Sequence, residues 1–252
     1  MKVFLTGGTG FIGKHLTRAL RHRGWDVTAL TRKPDSRGAQ MINNMGAKIS
    51  VGDITQKESM RAGMKNTDIV IHAAGDYELG VNKAQKTNLH LINCTGTENV
   101  LSLAKELNIP RIVHVAGVVA IGGSCGQIRE ETYTRQTPFQ SVYEETKTKG
   151  YQIARRYQQE GLPIIIAHPL PVVGVNDHAT FGYVLRMYIN RLMPPIAWSP
   201  DTIFCCVEVQ DVAEGIALAA EKGRLGESYL FGGEPKSLRD IFDIWSAVSY
   251  TH

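Results

Sequence analysis

Cysteine is scarce in this chain. There are four among 252 residues, Cys94, Cys125, Cys205 and Cys206, and none stands at a metal-ligand spacing from another. A zinc site and a disulfide framework are therefore not expected, and no metal is assigned. Adjacent Cys205 and Cys206 cannot easily pair with each other and read as a buried strand pair, which suits a reducing, cytoplasmic setting. No apolar run approaches the length of a membrane span. No secretory leader is expected, because Met1-Lys-Val-Phe-Leu-Thr is one basic residue and a short apolar run that breaks at glycines. Charge of one sign is not in excess, since 28 basic against 24 acidic residues leave a formal +4. That is too mild and too scattered for a nucleic-acid surface. Clusters such as Arg21-His22-Arg23 and Arg155-Arg156 read as solvated helix faces. Internal repeats and low-complexity segments are also lacking.

What the chain does have is alternation. Short apolar runs at Val3–Leu5, Val27–Leu30, Ile49–Val51, Ile69–His72, Ile112–Val115 and Ile164–Ala167 are bounded by turn residues. Helical patterns separate them, from about Ile12 to Arg23, Lys57 to Gly63, Gln85 to Leu107, and across Val142–Gln159. Strands alternating with helices imply an α/β fold, a doubly wound parallel sheet of the Rossmann type with helices on both faces. Residues 1–168 form the expected dinucleotide-binding domain. Residues 169–252 form a small substrate-binding lobe interleaved with the last sheet elements, rich in Pro and aromatics between Leu170 and Asp201. Leu238 to His252 reads as one helix and a ragged tail, so the C-terminal lobe is expected to be incomplete.

Thr6-Gly-Gly-Thr-Gly-Phe-Ile-Gly13 joins the first strand to the first helix. Its glycines fit G-x-G-x-x-G as Gly8, Gly10 and Gly13, or the related set Gly7, Gly10 and Gly13. Glycine takes turn conformations cheaply and lets backbone approach a pyrophosphate, which the helix N-terminal N–H groups then bind. Gly7, Thr9, Gly10, Phe11, Ile12 and Gly13 are the expected contacts. An NAD site wants Asp or Glu at the end of the second strand, to accept from the ribose 2′-OH. Here that strand ends Leu30-Thr-Arg-Lys33, with no acid. A guanidinium at Arg32 with Lys33 beside it suits a 2′-phosphate, favouring NADP over NAD. A solvated basic loop is the plain alternative. Asp53 is placed to accept from the adenine amino group, or simply to form a turn. Ala73, Ala74 and Gly75 end the fourth strand with small residues, as a strand passing beneath a cofactor should.

Tyr143 and Lys147 are four residues apart and share one face of a helix. Alone, the pair is also what a wet helix surface would carry. With the glycine loop, Gly52-Asp-Ile54, His72–Gly75, Asn93–Asn99, the segment Pro169–Gly174 and Val209–Ala213, the chain resembles the extended short-chain dehydrogenase/reductase family. Within it the likeness is to epimerase/dehydratase and dihydroflavonol-reductase-like members. The resemblance covers nearly the whole chain. It implies a nicotinamide cofactor touched also by Ile54, Lys147 and Pro169. It further implies a mechanism in which Tyr143 exchanges a proton with a carbonyl as hydride moves. Lys147 would lower the phenol's pKa and hold the nicotinamide ribose. Asn93 would be a structural or proton-relay residue beside the tyrosine.

The departures from the family pattern are equally specific. Ala116 and Gly117 stand where a Ser or Thr hydroxyl usually orients the substrate carbonyl. Losing one such donor often costs about 10²–10³ in rate. Ser124, Thr146 or an ordered water are possible substitutes. His168 replaces an Arg, Glu208 a His, and Gln210 an acid. Substrate contacts are expected from Tyr77, Ser124, Val172 and Tyr183, on loops beyond the strands' carboxyl ends. These expectations describe an NADP-dependent reductase of a hydrophobic or aromatic carbonyl. The alternatives are a nucleotide-sugar epimerase or dehydratase, and a catalytically impaired NADP-binding regulator. The small-molecule substrate would be its main partner, with no nucleic acid or membrane. A homodimer through a four-helix bundle of Gln85–Leu107 and Val142–Gln159 is a further expectation.

Overall fold

The computed structural model describes residues 1–77, 81–123, 130–178, 180–193 and 199–249. In chain order the elements are β1 (Lys2–Thr6), α1 (Phe11–His22), β2 (Asp26–Thr31), α2 (Arg37–Asn44), β3 (Lys48–Val51), α3 (Arg61–Met64), β4 (Ile69–His72), α4 (Lys83–His90), α5 (Gly96–Glu106) and β5 (Ile112–Val115). They continue with α6 (Val142–Gln159), β6 (Ile164–Pro169), β7 (Val172–Val173), α7 (Thr180–Ile189), β8 (Ile203–Phe204), β9 (Val207–Glu208), α8 (Val209–Lys222), β10 (Ser228–Phe231), β11 (Lys236–Ser237) and α9 (Leu238–Ser249).

Seven strands form one parallel sheet in the order β10-β6-β5-β4-β1-β2-β3. The strands are Val- and Ile-rich because both sheet faces are covered. On one face α1 and α8 bury Leu16, Leu20, Val212 and Ile216 against Val3, Leu5 and Ile71. On the other, α5 and α6 bury Val100, Leu101, Ala154 and Tyr157 against Val70, Ile112 and Ile164. Chain progression reverses at β1, which lies between β2 and β4. The crevice over the carboxyl ends of β1 and β4 is therefore the topological switch point, where such sheets bind ligands. The register there pairs Thr6 with His72 and His72 with His114.

The sequence-derived strands and the α6 helix all appear. The expected helix from Gln85 to Leu107 is present as α4 and α5, run together through one π-helical stretch, Leu91–Thr95, which contains Asn93. Single π turns inside helices frequently mark functional sites. Between Leu170 and Asp201 the chain forms β7 and α7. Short strands tie this segment back, β7 to β9 and β8 to β11. After it, α8 and β10 return to the main sheet, elements the sequence reading did not delimit. No described helix is long and apolar enough to cross a membrane.

Candidate active site

Steric demands of the backbone explain the glycines after β1. A Cβ on Gly7 would lie 2.6 Å from the Ala74 nitrogen and 2.7 Å from the Ala73 carbonyl carbon, and Gly7 has φ +76°. A Cβ on Gly13 would lie 2.0 Å from the Gly7 oxygen. Thus the loop presses on the end of β4 from one side and on the start of α1 from the other. Gly10 caps α1 with no side-chain hydrogen bond, and no acid occupies the first turn. The N–H groups of Phe11, Ile12 and Gly13 thus begin a helix whose positive end carries no acid of its own first turn. The carbonyl of Thr9 approaches the start of α2, 3.0 Å from where a Gly38 Cβ would sit. This cradle fits a dinucleotide's pyrophosphate.

Arg32 and Lys33 follow β2 as exposed side chains, and neither takes part in an ion pair among the described residues. Asp53 makes the local turn, its Oδ1 accepting from the Thr55 N–H at 2.9 Å. Ile54 is buried, its side chain fills the space beside Gly96, and its carbonyl accepts from Asn99 Nδ2 at 2.9 Å. Pro169 ends β6, paired with Phe231.

A directed chain of hydrogen bonds runs beneath the cradle. The Ala74 N–H donates to Thr6 Oγ1 at 3.2 Å, and Thr6 Oγ1 lies 2.7 Å from His72 Nδ1. His72 Nε2 lies 3.1 Å from Thr97 Oγ1, which donates to the Asn93 carbonyl at 2.8 Å. Because the Thr97 proton goes to a carbonyl, His72 must donate from Nε2 and accept at Nδ1 from Thr6. Burial, then the nearby Lys147 charge, depresses its pKa to about 3, so the ring is neutral. His114 and His168 stand on the next two strands, both also lowered chiefly by burial.

Ser141 accepts from the Glu144 N–H at 3.1 Å and caps α6, which places Tyr143 in the first turn and Lys147 one turn on. Lys147 Nζ reaches the Val115 carbonyl at 3.4 Å, and burial lowers its pKa to about 8. A Cβ on Gly75 would lie 3.4 Å from both Lys147 Nζ and Asn93 Oδ1. Asn93 is held on three sides. Its Oδ1 accepts from the Asp76 N–H at 2.8 Å, and its Nδ2 donates to the Asp76 carbonyl at 3.1 Å and to Thr146 Oγ1 at 3.0 Å. The structure thus brings together Tyr143, Lys147, Asn93 and Gly75 at the switch point. The phenol of Tyr143 is pushed above its ordinary range, by burial first and Tyr77 second. That is opposite to the lowering expected from Lys147. Burial favours the neutral phenol, and the Lys147 charge is not among the causes of its shift.

Gly117 has φ +86° and ψ 151°, a region open essentially to glycine alone. Its carbonyl accepts from His168 Nδ1 at 3.1 Å. Thr146 does not replace the absent hydroxyl, because it is buried, donates to the Tyr143 carbonyl at 3.0 Å and accepts from Asn93. Ser124 lies outside the described residues. Glu208 has a structural task, capping α8 by accepting from the N–H groups of Gln210 and Asp211.

A cavity of about 660 Å³ opens beyond β7, between α7, β8 and α9. Its wall is mainly apolar, with Val173, Phe181, Leu185, Phe204, Ile241 and Trp245. Of the residues expected at the substrate, Tyr77 crosses the Tyr143 ring edge-on, with centroids 4.7 Å apart. Val172 is half-buried in β7, one residue short of the cavity wall, and Tyr183 is 58% exposed on α7, outside it. No motif marks the α9 residues of this wall. Spacing of Ile241, Ile244 and Trp245 along one helix face was the available signal.

The sequence model of the NAD dependent epimerase/dehydratase family matches residues 3–232. A Stigmatella aurantiaca 4-hydroxy-2-methyl-3-oxo-4-farnesyl-3,4-dihydroquinoline-1-oxide ketoreductase is 31% identical over 97% of this chain and 72% of its own length. Sterol demethylase protein B of Methylococcus capsulatus is 27% identical over 96% of this chain and 72% of its own. The crystal structure of gox2253 superposes with a TM-score of 0.86 at 31% identity, covering 98% of this chain and 74% of that one. With the Rossmann cradle, Tyr143 and Lys147 in place, the chain belongs to the NAD dependent epimerase/dehydratase family, the extended short-chain dehydrogenase/reductases.

Proposed function

We propose that the protein is an NADP(H)-dependent oxidoreductase that reduces a carbonyl on a hydrophobic small molecule. One observation carries this reading: the Tyr143 and Lys147 side chains stand at the switch-point crevice beside a glycine cradle that fits a dinucleotide. A bound reduced nicotinamide supplies the hydride. Tyr143 gives its phenolic proton to the carbonyl oxygen, and its raised pKa keeps that proton in place until charge develops there. Lys147, cationic at neutral pH, stabilises the phenolate and holds the nicotinamide ribose. Asn93 fixes the Asp76 backbone and Thr146 on either side of them.

Arg32 and Lys33, exposed and in no ion pair among the described residues, favour a cofactor carrying a 2′-phosphate. The apolar cavity, and relatives named for farnesyl-bearing and sterol chemistry, support a hydrophobic substrate. The test is NADPH consumption against decalone, progesterone and a farnesyl quinolone, with uridine and thymidine diphosphate sugars as the contrasting set. Turnover of the ketones supports the reading; turnover of the sugars alone overturns it. A second reading, a cofactor-binding regulator with impaired catalysis, draws on Gly117. It predicts tight NADPH binding with no turnover on either set.

A further inference from the structure

We infer that His15 is a positioning residue for the substrate, holding the Val173–Val175 wall of the apolar cavity from the helix that begins the cofactor cradle. The inference rests on the reading of that cavity as the site of a hydrophobic substrate. His15 is the fifth residue of α1, one turn past Phe11, and the two rings meet edge-on with centroids 6.2 Å apart. Leu16, Ala19 and Leu20 of the same helix pack with Val3 and Leu5 of the sheet. His15 instead reaches the lobe. Its Nε2 lies 3.3 Å from the Val175 carbonyl, 160 residues away in the chain. A carbonyl only accepts, so Nε2 carries a proton and donates it. The residue is 8% exposed, and its Nδ1 is buried with no partner among the described residues. Within the described residues, the ring's one hydrogen bond is therefore the bond to the cavity wall.

On either side of Val175 the segment is anchored to the lobe's own helices. Val173 pairs in β7 with Glu208 of β9. Gly174 has φ +146°, and a Cβ there would lie 2.6 Å from Val209 Cγ1 and 2.9 Å from Glu208 Oε1, so the backbone lies hard against the start of α8. The Asp177 N–H closes a turn on the Gly174 carbonyl at 3.1 Å. Asp177 Oδ2 accepts from the Gly182 N–H at 2.7 Å, and the Asp177 carbonyl accepts from the Arg186 guanidinium at 2.6 Å, which ties this end to α7. Between those anchors the Val175 carbonyl is held by His15. Val173, Gly174 and Val175 all line the cavity, so this bond sets where that wall stands relative to α1. A wall fixed before binding costs less to order when a ligand arrives. The gain is largest for a rigid ligand big enough to press on the wall.

The test pairs His15→Leu, which keeps bulk and removes the donor, with His15→Gln, whose amide nitrogen donates from a similar reach. Progesterone affinity is measured by equilibrium dialysis on each protein loaded with oxidised cofactor, and NADPH affinity by fluorescence titration. His15→Leu should weaken progesterone binding about 3- to 10-fold, the net worth of one hydrogen bond, with a smaller loss for the two-ring decalone and NADPH affinity unchanged. His15→Gln should recover most of the wild-type value. A role confined to packing α1 predicts a lower melting temperature in both variants with progesterone affinity unmoved. That result, an equal loss of affinity in the two variants, or no progesterone binding by wild type would overturn the inference. Progesterone binding that depends on His15 but never oxidises NADPH would sink the reductase reading and leave the role of His15 in the wall standing.

Discussion

His168 Nδ1 lies 3.1 Å from the carbonyl oxygen of Gly117, so the imidazole donates its proton there. The residue standing where the family usually has arginine thus holds the residue standing where it usually has a hydroxyl. Together with the Ala116 N–H bond to the Ala167 carbonyl at 2.8 Å, this fixes the turn after β5 in a conformation open to glycine. Room is not the obstacle to a serine, since a Cβ at 117 would meet nothing closer than the Pro169 oxygen at 3.9 Å. Conformation is. Gly117→Ser should cost about 1–3 kcal/mol. At about 2–4 °C per kcal/mol for a chain of this size, thermal unfolding reads that directly. An unchanged melting temperature would mean the turn relaxes freely.

Burial takes Lys147 from an ordinary 10.5 to about 8. Above pH 8 the folded chain has released this proton while the unfolded chain still holds it, up to about 10.5. Between those values the unfolded state binds more protons, so the lysine's contribution to stability rises with pH. Below pH 8 its full burial penalty is present. Lys147→Met should therefore be more stable than wild type at pH 7 without cofactor, and the gap should narrow by pH 10. Urea unfolding of both proteins at the two pH values checks this. A constant gap contradicts it.

His72, Thr6 and Thr97 are all buried and satisfy one another. His72→Leu leaves two buried hydroxyls short of a partner, at about 1–3 kcal/mol for each group. The pH response has its own sign. The folded chain keeps His72 neutral until about pH 3, whereas the unfolded chain protonates it near 6.5. Stability from this group is full above 6.5 and falls as pH drops toward 3. His72→Leu should show a shallower acid loss than wild type, though His114 and His168, lowered in the same direction, retain part of the slope. Equal slopes in urea unfolding at pH 7.5 and 5 would count against a buried neutral His72.

The parts legible in sequence were those whose cause is local. Gly7 and Gly13 are demanded by backbone contacts within one strand-loop-helix unit and the strand beside it, so their spacing was enough. The helix of Tyr143 and Lys147 has a local cause too, since Ser141 caps α6. The π turn around Asn93 was not legible. It coincides with the close approach of α6, where a Gly150 Cβ would lie 2.7 Å from the Asn93 carbonyl, a contact distant in sequence. Nor did sequence show that Glu208 is a helix cap, or that Ile241 and Trp245 share a cavity wall with Phe181. Ile153 and Tyr157 on α6 pack against the chain's own core, and the Tyr157 hydroxyl donates to Glu98 at 2.6 Å.

Arg32→Ala tests cofactor choice. If the guanidinium holds a 2′-phosphate, its loss should weaken NADPH binding about 10- to 100-fold while NADH binding stays the same. Fluorescence titration with both cofactors gives the ratio. An unchanged ratio would return Arg32 to the role of a solvated loop residue.

The most direct test of the account is a single-turnover measurement. Wild type and Tyr143→Phe, each loaded with NADPH, are mixed rapidly with decalone while nicotinamide absorbance is followed. The account predicts rapid loss of reduced nicotinamide in wild type. In Tyr143→Phe it predicts a rate lower by about 10²–10⁴, the usual worth of a positioned acid, with NADPH still bound. Equal rates in the two proteins would contradict it.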